Sequence, residues 1–284
     1  MKNTPSDYFW LNLSFLFIST SGALGKWIDL PPEQIIFWRS LFSIPFLLLF
    51  LWTTKQSIKI SFQWNASTLL AGVLMGTHWV TYFYALQWSN VAVGMLSLFT
   101  FPVITAFLEP LFFNTRFNKK HIFLGGLTLL GIYFLVPSFD LAKTHGPAIA
   151  LGVFSALCYA IRNILLKKAR TSGNGSQQML AQVVIIALCF VPFISQETVS
   201  MNQDFWPALV FLALFTTVIG HSMFLFSLTR FSVTSASIAA SVQPLYGILI
   251  AYFFLNEIPH WGTYIGGTLI VFAVLVEGLS SKEN

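Results

Sequence analysis

Asn90–Phe113, NVAVGMLSLFTFPVITAFLEPLFF, and Ser232–Phe254, SVTSASIAASVQPLYGILIAYFF, decide how this chain is built. Asn90-Val91 and Pro102 recur as Ser232-Val233 and Pro244 at one common offset. Phe112-Phe113 and Gly125-Gly126 recur as Phe253-Phe254 and Gly266-Gly267, with that offset shortened by a single position. Several matches in the same order at nearly constant offset point to two copies of one unit. Both stretches are mainly apolar and long enough to cross a bilayer, which takes roughly 20 residues.

Working outward, the composition agrees. Of 284 residues, 56% are hydrophobic and 9% charged. A soluble domain carries about 25% charged residues, so this chain cannot clothe a water-facing surface. Its 30 phenylalanines suit helices that face lipid and one another. Apolar runs place spans near 8–25, 34–53, 67–88, 91–113, 122–138, 147–166, 178–195, 205–228, 233–255 and 261–279. Ser89-Asn90 and Thr229–Ser232 break runs too long for single helices, so each is read as a hairpin. The first run, preceded by one lysine and lacking a small-residue cleavage pattern, reads as a span and not as a removable signal. Cys158 and Cys189 fall inside apolar runs and read as packing residues, without a disulfide framework.

Loop charge sets the orientation, because lysine and arginine collect on the cytoplasmic side. With the N-terminus inside, Lys2, Lys55, Lys59, Arg116, Lys119, Lys120, Lys167, Lys168, Arg170, Arg230 and Lys282 are inner. Only Lys26 and Lys143 are outer. Both termini are therefore expected in the cytoplasm, in a multi-pass protein of the cell inner membrane. The expected fold is all-α, with ten transmembrane helices as two five-helix repeats, residues 1–138 and 145–279. An odd number of spans per repeat inserts the second copy upside down, a recurring plan of secondary transporters with the site near the midplane.

These features resemble the EamA family of the drug/metabolite transporter superfamily. The resemblance covers essentially the whole chain. It rests on the arginine in Phe37-Trp-Arg-Ser-Leu-Phe-Ser-Ile-Pro45, on Leu96-Ser-Leu-Phe-Thr-Phe-Pro102, on Gln243-Pro244 followed by Phe253-Phe-Leu-Asn-Glu257, and on the glycine pairs of the fifth and tenth spans. It implies ten helices and export of amino acids or other small metabolites. The glutamate expected after the fourth and ninth spans is Glu257 in the second half. The matching first-half position is Arg116, with Glu109 two helical turns before it.

Polar groups within spans are costly and default to functional hypotheses. Counted from span centres, His78, Pro102 and Pro244 fall within about 1–2 Å of the midplane, and His221 about 5 Å toward the cytoplasm. Proline removes a backbone donor and bends the helix, so Pro102 and Pro244 read as kinks that line a cavity or hinge it. His78 and Tyr82 share a helix face with Trp79 beside it. His221, Gln243 and Tyr246 offer matching groups on the eighth and ninth spans. Together these residues are expected to wall a solute pocket with aromatic surface and a few hydrogen-bonding groups. Interhelical hydrogen bonding and packing are the plainer reading of each one alone. His78 is also the candidate for proton coupling, since it titrates near neutral pH when unperturbed.

Arg39, roughly 7 Å outside the midplane, either fixes helix packing or faces a solute carboxylate. Arg162 and Glu109 lie at similar inner depths, about 8 and 11 Å from the centre, and are expected to pair as a latch between the halves. Gly262-x-x-x-Gly266, with Gly131, reads as a helix-contact pattern; it serves packing within the chain, or else a homodimer. Trp52, Trp64, Trp88, Trp206 and Trp261 sit at span ends as interfacial anchors.

The expected partners are a small-molecule solute and the lipid bilayer, with no nucleic acid, metal or cofactor. A membrane-embedded enzyme is the rival reading, but HExxH, GxSxG and paired aspartates within a span are all missing from the sequence. A structural or sensory membrane protein is the third.

Overall fold

A computed structural model describes residues 4–58, 65–89, 91–135, 146–169, 175–194, 205–255 and 261–280. Lys2, Lys59, Trp64, Asn90, Lys143, Arg170, Glu257 and Lys282 lie outside the described residues. The described residues are helical throughout, without a strand. Helices α1 (Pro5–Trp27), α2 (Pro32–Thr53) and α3 (Ala66–Trp88) are followed by α4 (Val91–Leu98) and α5 (Phe101–Phe113), then α6 (Lys119–Leu135). The second half runs α7 (Gly146–Lys168), α8 (Gly175–Phe190), α9 (Trp206–Phe211), a π-helical stretch Leu212–His221, α10 (Ser222–Ser227), α11 (Val233–Ala240), α12 (Gln243–Leu255) and α13 (Trp261–Ser280). Among the described residues eight helices are long and apolar enough to cross a membrane.

Local chemistry sets the ends. Thr4 and Asp7 form a reciprocal capping box, with Pro5 opening α1. The Asn65 side chain accepts from the Thr68 amide at 2.8 Å, and that of Ser232 from the Ser235 amide at 2.9 Å. Asn114 ends α5 in the left-handed region, φ 52°, where asparagine is tolerated better than most residues. The two anticipated proline kinks are breaks. Phe99-Thr100 is a turn ahead of Pro102, and Ser241-Val242 a turn ahead of Pro244. Each proline lacks the N–H that would have bonded the carbonyl four residues back, so each rod is interrupted at the same place in its repeat.

Helix packing interlaces the halves. α3 lies along α7 and α8, α2 along α8, α1 along the π stretch and α12, and α6 against α13. Outward faces are apolar: Leu49, Phe123, Leu188 and Phe272 are all more than half exposed, as lipid contact requires. Trp52, Trp88, Trp206 and Trp261 are exposed at helix ends, and Trp27 joins them.

Close approaches fall on glycines. A Cβ on Gly131 would lie 2.7 Å from Ile270 and 2.9 Å from the Gly266 carbonyl, so α6 meets α13 there, backbone to backbone. Gly126 has open space, so its contribution is not proximity. The tightest side-chain approach is Gly152 on α7, where a Cβ would sit 2.6 Å from Ser97 Cβ and closer still to its Oγ. Gly152→Val is expected to force α4 away from α7 and to cost about 1–3 kcal/mol, the usual range for overpacking. Thermal unfolding in detergent checks it; an unchanged melting temperature would refute the close packing.

Candidate functional site

A small cavity lies at the centre of the bundle, walled by α1, α3, the α4–α5 break, α7, the end of the π stretch and the start of α12. Its free volume is about 40 Å³, far below the roughly 300 Å³ at which ligand pockets begin. At that volume it admits little more than a water or two.

His78, Trp79, Tyr82, His221 and Gln243, all expected in the pocket from sequence, line this cavity. Pro102, Pro244 and Tyr246 do not. The prolines act one position earlier. Phe101 and Gln243, each immediately before its proline and equivalent in the repeat, are both on the wall. Tyr246 points elsewhere, its hydroxyl donating to Asn12 Oδ1 at 3.3 Å. Trp79 and His221 are separated by the same offset as Pro102 and Pro244, and their rings meet at 5.4 Å. The repeat partner of His221 is thus Trp79, and the two equivalent positions face each other.

His78 is tied to α7. Ser155 Oγ–H donates to the His78 carbonyl at 2.7 Å, so the hydroxyl oxygen is free to accept from His78 Nδ1, 2.8 Å away. The Ser155 carbonyl, 3.2 Å from Nδ1, can only accept. The proton of a neutral ring is therefore on Nδ1, leaving Nε2 as the acceptor. The Tyr159 ring stacks on His78 at 4.4 Å and 20°.

Arg39 is fully buried. Its guanidinium lies 3.9 Å over the Trp79 ring, and its Nε donates to Thr217 Oγ1 at 2.7 Å. Thr217 in turn donates to the Leu212 carbonyl five residues back, within the π-helical stretch. Such stretches often mark functional segments. Arg162 does not pair with Glu109, contrary to the sequence expectation. Its Nε donates to Gln182 Oε1 and its Nη1 to Asn163 Oδ1, both at 2.7 Å. Glu109 instead accepts from the Val233 and Thr234 amides at 2.8 and 2.7 Å, capping α11. Equal depth does not imply adjacency: Arg162 faces α8, while α5 turns Glu109 toward the 229–234 hairpin.

Two lysines at repeat-equivalent ends close the hairpins. Lys26 Nζ donates to the carbonyls of Leu86, Gln87 and Ser89 at 3.1, 3.2 and 3.0 Å. Lys167 Nζ donates to those of Leu228 and Phe231. Each satisfies orphan carbonyls at a helix C-terminus.

Sequence reading missed Tyr159 and Ser155, although both share a helix face with Arg162 at spacings of three and seven. It also missed Glu277, a buried carboxylate in the last span. Glu277 accepts from Ser235 Oγ at 2.6 Å and lies 3.3 Å from His121 Nε2. A lone acid ending an apolar run was the available signal.

Comparison with known proteins places these features. The model of the EamA-like transporter family matches residues 6–136 and again 146–277. The S-adenosylmethionine uptake transporter of Rickettsia conorii is 25% identical, covering 100% of this chain and 96% of its own. The pseudopaline exporter CntI of Pseudomonas aeruginosa is 25% identical, covering 95% and 94%. A protein of known crystal structure shares the fold with a TM-score of 0.80 at 16% identity, covering 99% of each chain.

Proposed function

This chain belongs to the EamA-like transporter family, and from that premise we propose that it is a secondary transporter, exporting a small organic solute such as an amino acid or related metabolite by alternating access. A family of transporters, not of enzymes, frames the reading, and the membrane setting follows from the apolar helices. Two relatives named for opposite directions, an uptake transporter and an exporter, are similar to this chain over nearly their whole length. Export here is inferred from the sequence resemblance.

The observation that carries the proposal is the symmetry of the central cavity. Trp79 meets His221, and Phe101-Pro102 matches Gln243-Pro244, so both repeats build the wall from equivalent positions. Halves 1–138 and 145–279, of five spans each, would count α1 and α6 as membrane spans beside the eight above. Inverted halves of one design give inward-open and outward-open states similar energies. The proline breaks supply hinges between a cavity too small for a solute and one that admits it.

With both termini cytoplasmic, the wall residues Met95 and Leu98 lie on the outer side of His221. The Glu109 and Lys167 bonds then lie at the inner face. The setting is then the cell inner membrane, with the matching Lys26 bonds at its outer face. The test is flux. Purified protein in liposomes, offered amino acids, sugars and nucleosides, should show saturable counterflow of at least one. Flux that never saturates, or none above protein-free liposomes, would refute the reading.

A further inference from the structure

Arg39 and Arg162 are completely buried, and among the described residues the groups that hydrogen-bond their guanidiniums are neutral: Thr217, Gln182 and Asn163. Among the described residues the core acids are committed elsewhere. Glu33 accepts from the Tyr84 hydroxyl, Glu109 caps α11, and Glu277 meets Ser235 and His121. The Arg39 guanidinium lies 3.9 Å over the Trp79 ring and that of Arg162 lies 5.9 Å from the centre of the Tyr159 ring, and both rings are on the cavity wall. Arg39 Nη1 and Nη2, Arg162 Nη2 and His221 Nδ1 are buried without a hydrogen-bond partner. A cation out of water without a counter-charge is expensive. A bundle that holds two of them directly behind its cavity wall gains most from a ligand of opposite sign.

We propose that the transported solute carries a carboxylate, and that Arg39 receives it, with Arg162 as the second positive charge of the site. The geometry favours a carboxylate over other anions. Thr217 holds Nε and Trp79 holds the guanidinium plane, leaving Nη1 and Nη2 as a fixed fork, the arrangement that matches two carboxylate oxygens. Arg39 is not on the cavity wall; its guanidinium rests on the Trp79 ring, which is on the wall and also meets His221. Displacing this ring as the rods hinge at Pro102 and Pro244 joins the fork to the solute space. The inference rests on the transporter reading and narrows its substrate class.

Full-length protein in lipid nanodiscs provides the test, through its melting temperature with L-phenylalanine, L-leucine, L-methionine and L-glutamate, each beside its amide and its decarboxylated amine. At least one acid should raise the melting temperature, while its amide and amine do not. Arg39→Gln should weaken that acid at least tenfold, and Arg39→Lys less. Arg162→Gln, read the same way, is the second variant should Arg39→Gln fold poorly. Equal shifts by acid and amide overturn the proposal, as does an acid shift unchanged in both variants. It falls equally if no acid shifts the protein, or if inorganic phosphate alone does so as strongly. Saturable liposome flux of a sugar or nucleoside alone would sink the carboxylate while leaving the transporter standing.

Discussion

Trp79→Ala is expected to destabilise the protein by about 3–5 kcal/mol, the range for emptying a large buried aromatic site, and to bring solute flux to the protein-free background. Trp79 is among the largest side chains in the core, only 2% exposed. Its removal costs packing first. It also uncovers the Arg39 guanidinium, which rests on the ring at 3.9 Å, and a desolvated contact of this kind contributes about 2 kcal/mol. His221 loses its ring neighbour in the same step. Trp79→Phe keeps an aromatic face with a smaller quadrupole, so it should retain most of the stability. Denaturant titration in mild detergent, with flux in parallel, separates the two effects. If alanine and phenylalanine behave alike, the cation–π contact carries no weight.

Glu109→Ala is expected to loosen the end of the bundle where α5 meets α11. The carboxylate reaches from α5 to two amides in the first turn of α11, where a helix N-terminus favours negative charge. Hydrogen bonds to a charged group contribute about 1.5–3 kcal/mol each, and here the two oxygens serve one amide apiece. Glu109→Gln keeps one acceptor and should lose less. The readout is labelling of a cysteine placed at Thr229, on the same hairpin, by an impermeant maleimide added in turn to each side of the membrane. Labelling should quicken in the alanine variant and only slightly in the glutamine variant. The swap Arg162→Glu with Glu109→Arg should rescue nothing, because the two residues have different partners. Rescue would show that they do pair and would overturn the partner assignment.

Much of this architecture was legible beforehand because bilayer crossing constrains length and composition together. The hairpins at Ser89 and Thr229–Ser232 announce themselves as polar breaks in runs too long for one helix. The prolines were readable as kinks, since a missing N–H acts wherever the residue lies, but not as full breaks with the preceding residue on the cavity wall. That His78, Trp79, Tyr82, His221 and Gln243 line one cavity was readable because polar and aromatic groups within apolar runs stand out against leucine and phenylalanine. Arg162 and Glu109 were misread for a related reason. Position along a span fixes depth, but the side of the helix on which a neighbour lies depends on how the rods pack.

Readable from the chain alone were the helical class, the apolar helices, the doubled unit and five residues of the cavity wall. All of these follow from local composition, spacing and repetition. Only the tertiary structure decided that Trp79 faces His221, that Tyr159 stacks on His78, that Glu109 caps α11, and that the 212–221 stretch winds as a π-helix with Thr217 bonded to Arg39. Each of these depends on rotation and crossing of helices distant in the chain. In a bundle without a soluble exterior, hydrophobic periodicity says little about rotation, because lipid and core are both apolar.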